Sequence, residues 1–266
     1  MTDKSKGKSK PTTTKTIHVN IKEFPIHKIR LKTKNVVIGK PGSGKSFLLD
    51  DLAYNVKHRI PVAAAYSGTE STNGAWARRL PPLFVFDGFN EKAAKYAVLR
   101  SKLTTKLKEM QNMSHPGGLF IWDDCMESPT DFTKKIIVAV FKNGRQWEDV
   151  MFLIASQYCL DLKPNIRSCI DYTFILKTSK KDDRQKIYKN YASSFPDFET
   201  FEAVLDDITN NYGALVIDNT SSSTKFEDTV FYYKAKGHGM WKFGCNEYKN
   251  HSKIRYDPSY IPPLDI

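Results

Sequence analysis

The run Asn35-Val36-Val37-Ile38-Gly39-Lys40-Pro41-Gly42-Ser43-Gly44-Lys45-Ser46 passes from apolar to glycine-rich and then to a Lys-Ser pair. Its second half matches G-x-x-x-x-G-K-[ST]. The apolar residues before it suit a short strand buried on both faces, and Phe47, Leu48, Leu52 and Val56 after it recur with helical spacing. Strand, glycine turn and helix in that order form a phosphate cradle. Glycines let backbone N–H groups turn onto phosphate oxygens, and the helix N-terminus adds the positive end of its dipole. The contact set expected for a nucleoside triphosphate is therefore Gly39, Lys40, Pro41, Gly42, Ser43, Gly44, Lys45, Ser46 and Phe47. Lys45 is placed for the β- and γ-phosphates and the Ser46 hydroxyl for Mg²⁺.

Working outward, Leu119-Phe120-Ile121-Trp122-Asp123-Asp124 is a second apolar run, ending in tandem acids. A strand buried on both faces carries carboxylates at its tip. Asp123 is thus the second metal candidate and Asp124 the candidate base for water, with Glu127 as a substitute. Ile154-Ala155-Ser156-Gln157 ends a third run in an amide, and Gln157 is placed to orient the attacking water.

Between these motifs strands and helices alternate. Strands are expected at 17–21, 35–39, 61–66, 83–87, 118–123, 150–155, 172–176, 214–218 and 229–233. Helices are expected at 45–58, 90–111, 129–143, 182–194 and 198–208, with Ala93, Ala97, Leu103 and Leu107 forming the inward stripe of the second. That alternation predicts an α/β fold with a mostly parallel central sheet and helices on both faces; together with the glycine loop it resembles the RecA-like (ASCE) arrangement of P-loop NTPases. Residues 1–16 carry five lysines and one aspartate and read as a flexible basic tail. Residues 17–266 read as one ATPase domain, ending in an irregular tail from about 236.

Composition narrows the class. The four cysteines, Cys125, Cys159, Cys169 and Cys245, have neither CxxC nor Cys/His spacing, which argues against a zinc site or a disulfide framework and fits a reducing compartment. No apolar run approaches the roughly 18 residues of a membrane span, and the N-terminal stretch lacks a signal-type apolar segment, so a soluble protein is expected. A net charge of +12 favours polyanionic partners. A GTPase of the D-x-x-G and [NT]-K-x-D type is rejected, because Asp123 is followed by Asp124-Cys125-Met126, and the nearest base-reader mimic is Ser179-Lys180-Lys181-Asp182. A nucleotide kinase and a switch that uses ATP only to control assembly both fit the loop as well, and stay open at this level.

The order of parts is informative: phosphate loop, long excursion, tandem acids, one helix, then a strand ending in Gln. That order resembles the FtsK–HerA superfamily of ring-forming DNA pumps, and within it the poxvirus-type genome-packaging ATPases of large eukaryotic DNA viruses. The resemblance rests on Gly39 to Ser46, Ile121 to Asp124, Asn143-Gly144-Arg145 leading into Ser156-Gln157-Tyr158, and Pro164-Asn165-Ile166-Arg167 followed by Asp171-Tyr172. Tyr212 to Asp218 and Phe231-Tyr232-Tyr233-Lys234 extend it. Gln146 departs from the family, which often has His there.

What the resemblance implies is an Mg²⁺- and ATP-dependent motor that packages viral double-stranded DNA without regard to sequence. It implies a homo-oligomeric ring, pentameric or hexameric, with a capsid or portal-region protein as a further partner. The setting implied is the host cytoplasm, in viral factories, or the virion. In such a ring a neighbour's arginine completes each site. Arg145 and Arg167 are the candidates, both expected near strand ends on the nucleotide side.

Overall fold

The computed structural model describes residues 21–111, 117–126, 131–147, 150–158, 160–223 and 225–259. The expected basic tail, residues 17–20 of the first expected strand, and Glu127 lie outside them. In chain order the elements are β1 (Lys22–Glu23), β2 (Lys34–Ile38), α1 (Lys45–Val56), β3 (Ala63–Ser67), α2 (Glu70–Asn73), β4 (Val85–Asp87), α3 (Glu91–Met110) and β5 (Gly118–Asp123). Then come α4 (Lys135–Trp147), β6 (Val150–Ser156), α5 (Pro164–Arg167), β7 (Tyr172–Ile175), α6 (Lys181–Tyr191), α7 (Phe198–Thr209), β8 (Gly213–Asp218), β9 (Val230–Lys234) and α8 (Asn246–Arg255).

The described strands form one nine-stranded sheet in the order β1-β9-β8-β7-β2-β6-β5-β3-β4. Only β8 runs against the others, pairing antiparallel with β7 and β9. The sheet is α/β and mostly parallel, as the alternation predicts. Successive side chains of each central strand feed opposite faces, so each strand serves two cores. Val37, Ile121 and Leu153 pack with Leu48, Leu49, Leu52 and Val56 of α1. Val36, Ile38, Phe120, Trp122, Phe152 and Ile154 pack on the opposite face with residues of α3, α4, α6 and α7.

Three expectations change. Phe47 does not point inward: it is 52% exposed, one position off the buried face of α1. The most buried face of α3 is Ala94, Val98, Ser101 and Thr105; the expected Ala93 and Ala97 are half-buried against the same core, while Leu103 and Leu107 stand in solvent. α3 makes its helix contacts with α4, and the side chains on that face are small, which hydrophobic periodicity does not register. The expected irregular tail contains α8. It is anchored by the buried Tyr248, whose hydroxyl donates to the Ala63 carbonyl at 2.7 Å, and it follows a strap that buries Trp241 and Phe243.

Candidate functional site

At the end of β2 the chain leaves the middle of the sheet and turns through residues 39–44 into α1. Gly44 caps that helix at φ 97°, a left-handed conformation that costs glycine little. The turn is closed by the Ser43 hydroxyl donating to the Lys40 carbonyl at 2.7 Å and by Gly39 N–H donating to the Ser156 carbonyl at 3.2 Å. Lys45 is 4% exposed. Its ammonium lies 3.1 Å from Asp124 Oδ2 and donates to the Lys40 carbonyl at 3.3 Å.

Asp123 stands at the tip of β5, and both its carboxylate oxygens are engaged. Oδ1 accepts from the Ser46 hydroxyl at 3.0 Å, and Oδ2 accepts from the Trp76 indole N–H at 3.1 Å. Burial pushes its pKa up, the Ser46 and Trp76 hydrogen bonds oppose that, and the neighbouring Asp124 charge adds to it. Asp124 itself takes φ 48°, which aims it away from the strand direction and toward Lys45. The close approach of β3 sets this turn. A Cβ on Gly68 would overlap the Asp124 carbonyl oxygen, and Gly68 N–H donates to the Asp123 carbonyl at 3.1 Å.

Because β6 lies between β2 and β5, residues just past its end emerge between the glycine loop and the tandem acids. Gln157 is there, exposed, lining a cleft of about 460 Å³ with Lys40, Pro41, Tyr158 and Lys186. The structure thus gathers residues 39–47, Asp123, Asp124 and Gln157 at one edge of the sheet.

The two arginines are placed differently from the expectation. Arg145 is in the last turns of α4, just before β6 begins, and Arg167 ends α5, shortly before β7 begins. The starts of β6 and β7 pair with the start of β2, Lys34 with Phe152 and Asn35 with Tyr172. Both arginines therefore precede the edge of the sheet opposite the glycine loop. The reason is strand direction: in a parallel sheet the residues before a strand lie at its N-terminal edge. Arg167 donates to the Leu162 carbonyl at 2.6 Å. The side chains of Arg145 and Gln146 lie outside the described residues.

Two neighbours of the site carry no motif. Trp76 comes from the excursion between β3 and β4, where Glu70 accepts from the backbone N–H groups of Trp76 and Ala77. Asp161, past the end of β6, accepts from the Ser156 hydroxyl at 3.2 Å. Burial raises its pKa, and the Asp124 charge raises it further. Only the nearness of Asp161 to Ser156-Gln157 in sequence hinted at it.

A divalent cation fits this chemistry. The described residues contain no cluster of three or more His, Cys, Asp or Glu side chains able to cage a metal. Mg²⁺, however, needs only one or two protein ligands when phosphates and waters supply the rest, and Ser46 and Asp123 are already in contact. No described helix is long and apolar enough to cross a membrane.

The sequence is 42% identical to the uncharacterized protein 088R of Invertebrate iridescent virus 3 over 223 residues, covering 82% of this chain and 83% of that one. It is 35% identical to the uncharacterized protein 075L of Invertebrate iridescent virus 6, covering 86% and 88%. Among solved structures, the genome packaging NTPase B204 from Sulfolobus turreted icosahedral virus 2, in complex with AMPPCP, matches with a TM-score of 0.56 at 15% identity. That match covers 77% of this chain and 99% of B204. At such identity the likeness is one of fold. No family model matches the chain.

Proposed function

The chain belongs to the family of viral proteins that includes 088R of Invertebrate iridescent virus 3 and 075L of Invertebrate iridescent virus 6, and we propose that it is an ATP-hydrolysing motor that drives double-stranded DNA into a viral capsid. The observation that carries this reading is the convergence, at adjoining strand tips, of Lys45 with Asp124 at 3.1 Å and Ser46 with Asp123 at 3.0 Å. The fold shared with a viral genome packaging NTPase supports it, as does the FtsK–HerA order of motifs.

The chemistry follows from these residues. Backbone N–H groups of residues 39–46 bind the phosphate chain, and Lys45 exchanges its contact with Asp124 for β- and γ-phosphate oxygens. That exchange frees the Asp124 carboxylate to take a proton from water. The water oxygen bonds to the γ-phosphorus, the bridging P–O bond to the β-phosphate breaks, and ADP leaves. Gln157 holds the water in line. Ser46 and Asp123 would hold Mg²⁺, which supplies charge neutralisation on the phosphates when bound.

Arg145 and Arg167 sit at the far edge of the sheet from their own loop, so a catalytic role for either is served on a neighbouring subunit in a ring. The net charge of +12 suits contacts to DNA phosphates, which are independent of sequence. A capsid or portal-region protein would anchor the ring in the viral factory or the virion.

The test is ATP turnover by the assembled protein at low salt, with and without double-stranded DNA of arbitrary sequence. DNA should raise phosphate release, and Lys45→Ala should abolish it. A rate indifferent to DNA would remove the motor reading. Phosphoryl transfer that needs an acceptor other than water would make the protein a nucleotide kinase instead. Nucleotide-dependent assembly without turnover would leave an ATP-controlled switch.

A further inference from the structure

On the side of the glycine loop facing β8 and β9, away from the tandem acids, a cavity of about 500 Å³ opens between α1 and the start of β8. Two aromatic rings stand at its walls, both largely in solvent: Phe47 is 52% and Tyr212 73% exposed. Leu176, Ala214 and Ala235 complete an apolar lining. Two large rings half or more exposed beside one cavity form an apolar patch of the kind that marks a ligand surface.

The backbone holds Tyr212 there against its own preference. Asn211 and Tyr212 take φ 56° and 61°; asparagine tolerates this left-handed region, but a bulky tyrosine there needs a surrounding structure that over-determines it. The surroundings do so. Gly213, which follows, is packed so tightly that a Cβ would overlap the Ile208 carbonyl oxygen. The result is that the Tyr212 ring rests over the phosphate loop, since a Cβ on Gly44 would lie 3.6 Å from Tyr212 Cδ1.

We propose that Tyr212 and Phe47 form an aromatic platform for the base of the nucleoside triphosphate whose phosphates occupy residues 39–46, and that this platform accepts purine bases without distinguishing adenine from guanine. The proposal rests on the reading of the loop as a triphosphate site. A cavity of this volume falls within the range of small-ligand sites and adjoins the glycine at the N-terminus of α1. Ring faces and aliphatic carbons bind any base by stacking, because every base has a π face. The polar groups at the cavity, the Asn211 amide and the Lys234 ammonium, do not encode one base edge. An amide presents either donor or acceptor by flipping, and a lysine offers a mobile donor to whichever acceptor is near.

Equilibrium binding of ATP, GTP and inorganic tripolyphosphate, each with Mg²⁺, tests the platform on the full chain. ATP and GTP should bind within about fivefold of each other and tighter than tripolyphosphate. Tyr212→Ala should weaken both nucleotides about tenfold or more while leaving tripolyphosphate unchanged, and Tyr212→Phe should keep wild-type affinity. Tyr212 is mostly in solvent, so its truncation removes little core, and unchanged tripolyphosphate binding reports an intact loop.

Equal loss of all three ligands, or no loss for ATP in Tyr212→Ala, would overturn the platform. A preference for ATP over GTP beyond about fivefold would overturn its tolerance, since it would require a group that reads the base edge. Failure of wild-type protein to bind any of the three would overturn the triphosphate site with it. A protein that binds as expected but whose turnover ignores DNA would lose the motor reading alone.

Discussion

The indole N–H of Trp76 donates to Asp123 Oδ2 across 3.1 Å, and the two side chains are buried together at 2% and 3% exposure. Trp76 thereby fixes the carboxylate so that its other oxygen meets Ser46. Partners of this kind hold a metal ligand in its working orientation, and their loss costs about 10- to 100-fold in metal affinity or activity. Trp76→Phe preserves most of the buried ring but leaves Oδ2 without its donor. Hydrolysis measured against Mg²⁺ concentration should show a half-saturation point shifted upward about tenfold or more, with a smaller change in the maximal rate. An unchanged Mg²⁺ dependence would make Trp76 a packing residue.

Asp51, on the buried side of α1 and 0% exposed, should matter to stability in a different way. Its carboxylate accepts from the Tyr233 hydroxyl at 2.5 Å, Lys236 N–H at 3.0 Å and Asn55 at 2.8 Å, and pairs with His238 Nε2 at 2.6 Å. The helix that carries the phosphate loop is thus tied to the end of β9 and to the strap leading to α8. Asp51→Ala would strand several buried donors at once. The expected loss is about 3 kcal/mol, or a fall of about 6–12 °C in Tm for a chain of this size, read by thermal denaturation. Hydrogen exchange should quicken along residues 236–243 before it does so in the central strands.

Asp161 offers a pH signature. Its folded-state pKa is raised, first by burial, so ionising it costs stability. Below the ordinary aspartate value of about 3.9 the group is protonated whether folded or unfolded, and the charge has no effect. As pH rises through the higher folded-state value, the wild type loses stability that Asp161→Asn keeps. The Asn side chain still accepts from the Ser156 hydroxyl. The Tm of Asp161→Asn should therefore exceed that of the wild type at neutral pH, and the difference should close near pH 4. A difference constant with pH would assign it to something other than the charge.

What the sequence made legible was local: a strand, glycine turn and helix in order, and acids at the tip of an apolar run. Those features follow from backbone freedom and burial within a dozen residues. Trp76 and Asp161 were opaque because their roles depend on contacts with Asp123 and Ser156 that the fold brings about. Leu103 and Leu107 misled for a related reason. Helical spacing shows that a stripe exists, but which stripe is buried depends on how closely the neighbouring helix can approach. The edge on which Arg145 and Arg167 lie is legible in sequence, since strand direction in a parallel sheet puts residues before a strand away from the phosphate loop.

An arginine on that edge can reach only a neighbour's nucleotide. If Arg167 serves a neighbour's nucleotide, Arg167→Ala damages the site next door and leaves its own Lys45 intact, whereas Lys45→Ala damages its own site and leaves its Arg167 available. Each variant alone should form rings that lose about a thousandfold or more in turnover, the range by which a missing arginine finger slows such enzymes. Mixed before assembly, they should regain activity, because an Arg167→Ala subunit beside a Lys45→Ala subunit brings together one intact loop and one intact arginine. Phosphate release against mixing ratio should rise from near zero at either end to a maximum between. A flat line would mean that Arg167, held by the Leu162 carbonyl at 2.6 Å, supports its own fold. The same titration with Arg145→Ala then decides whether the end of α4 supplies the group instead.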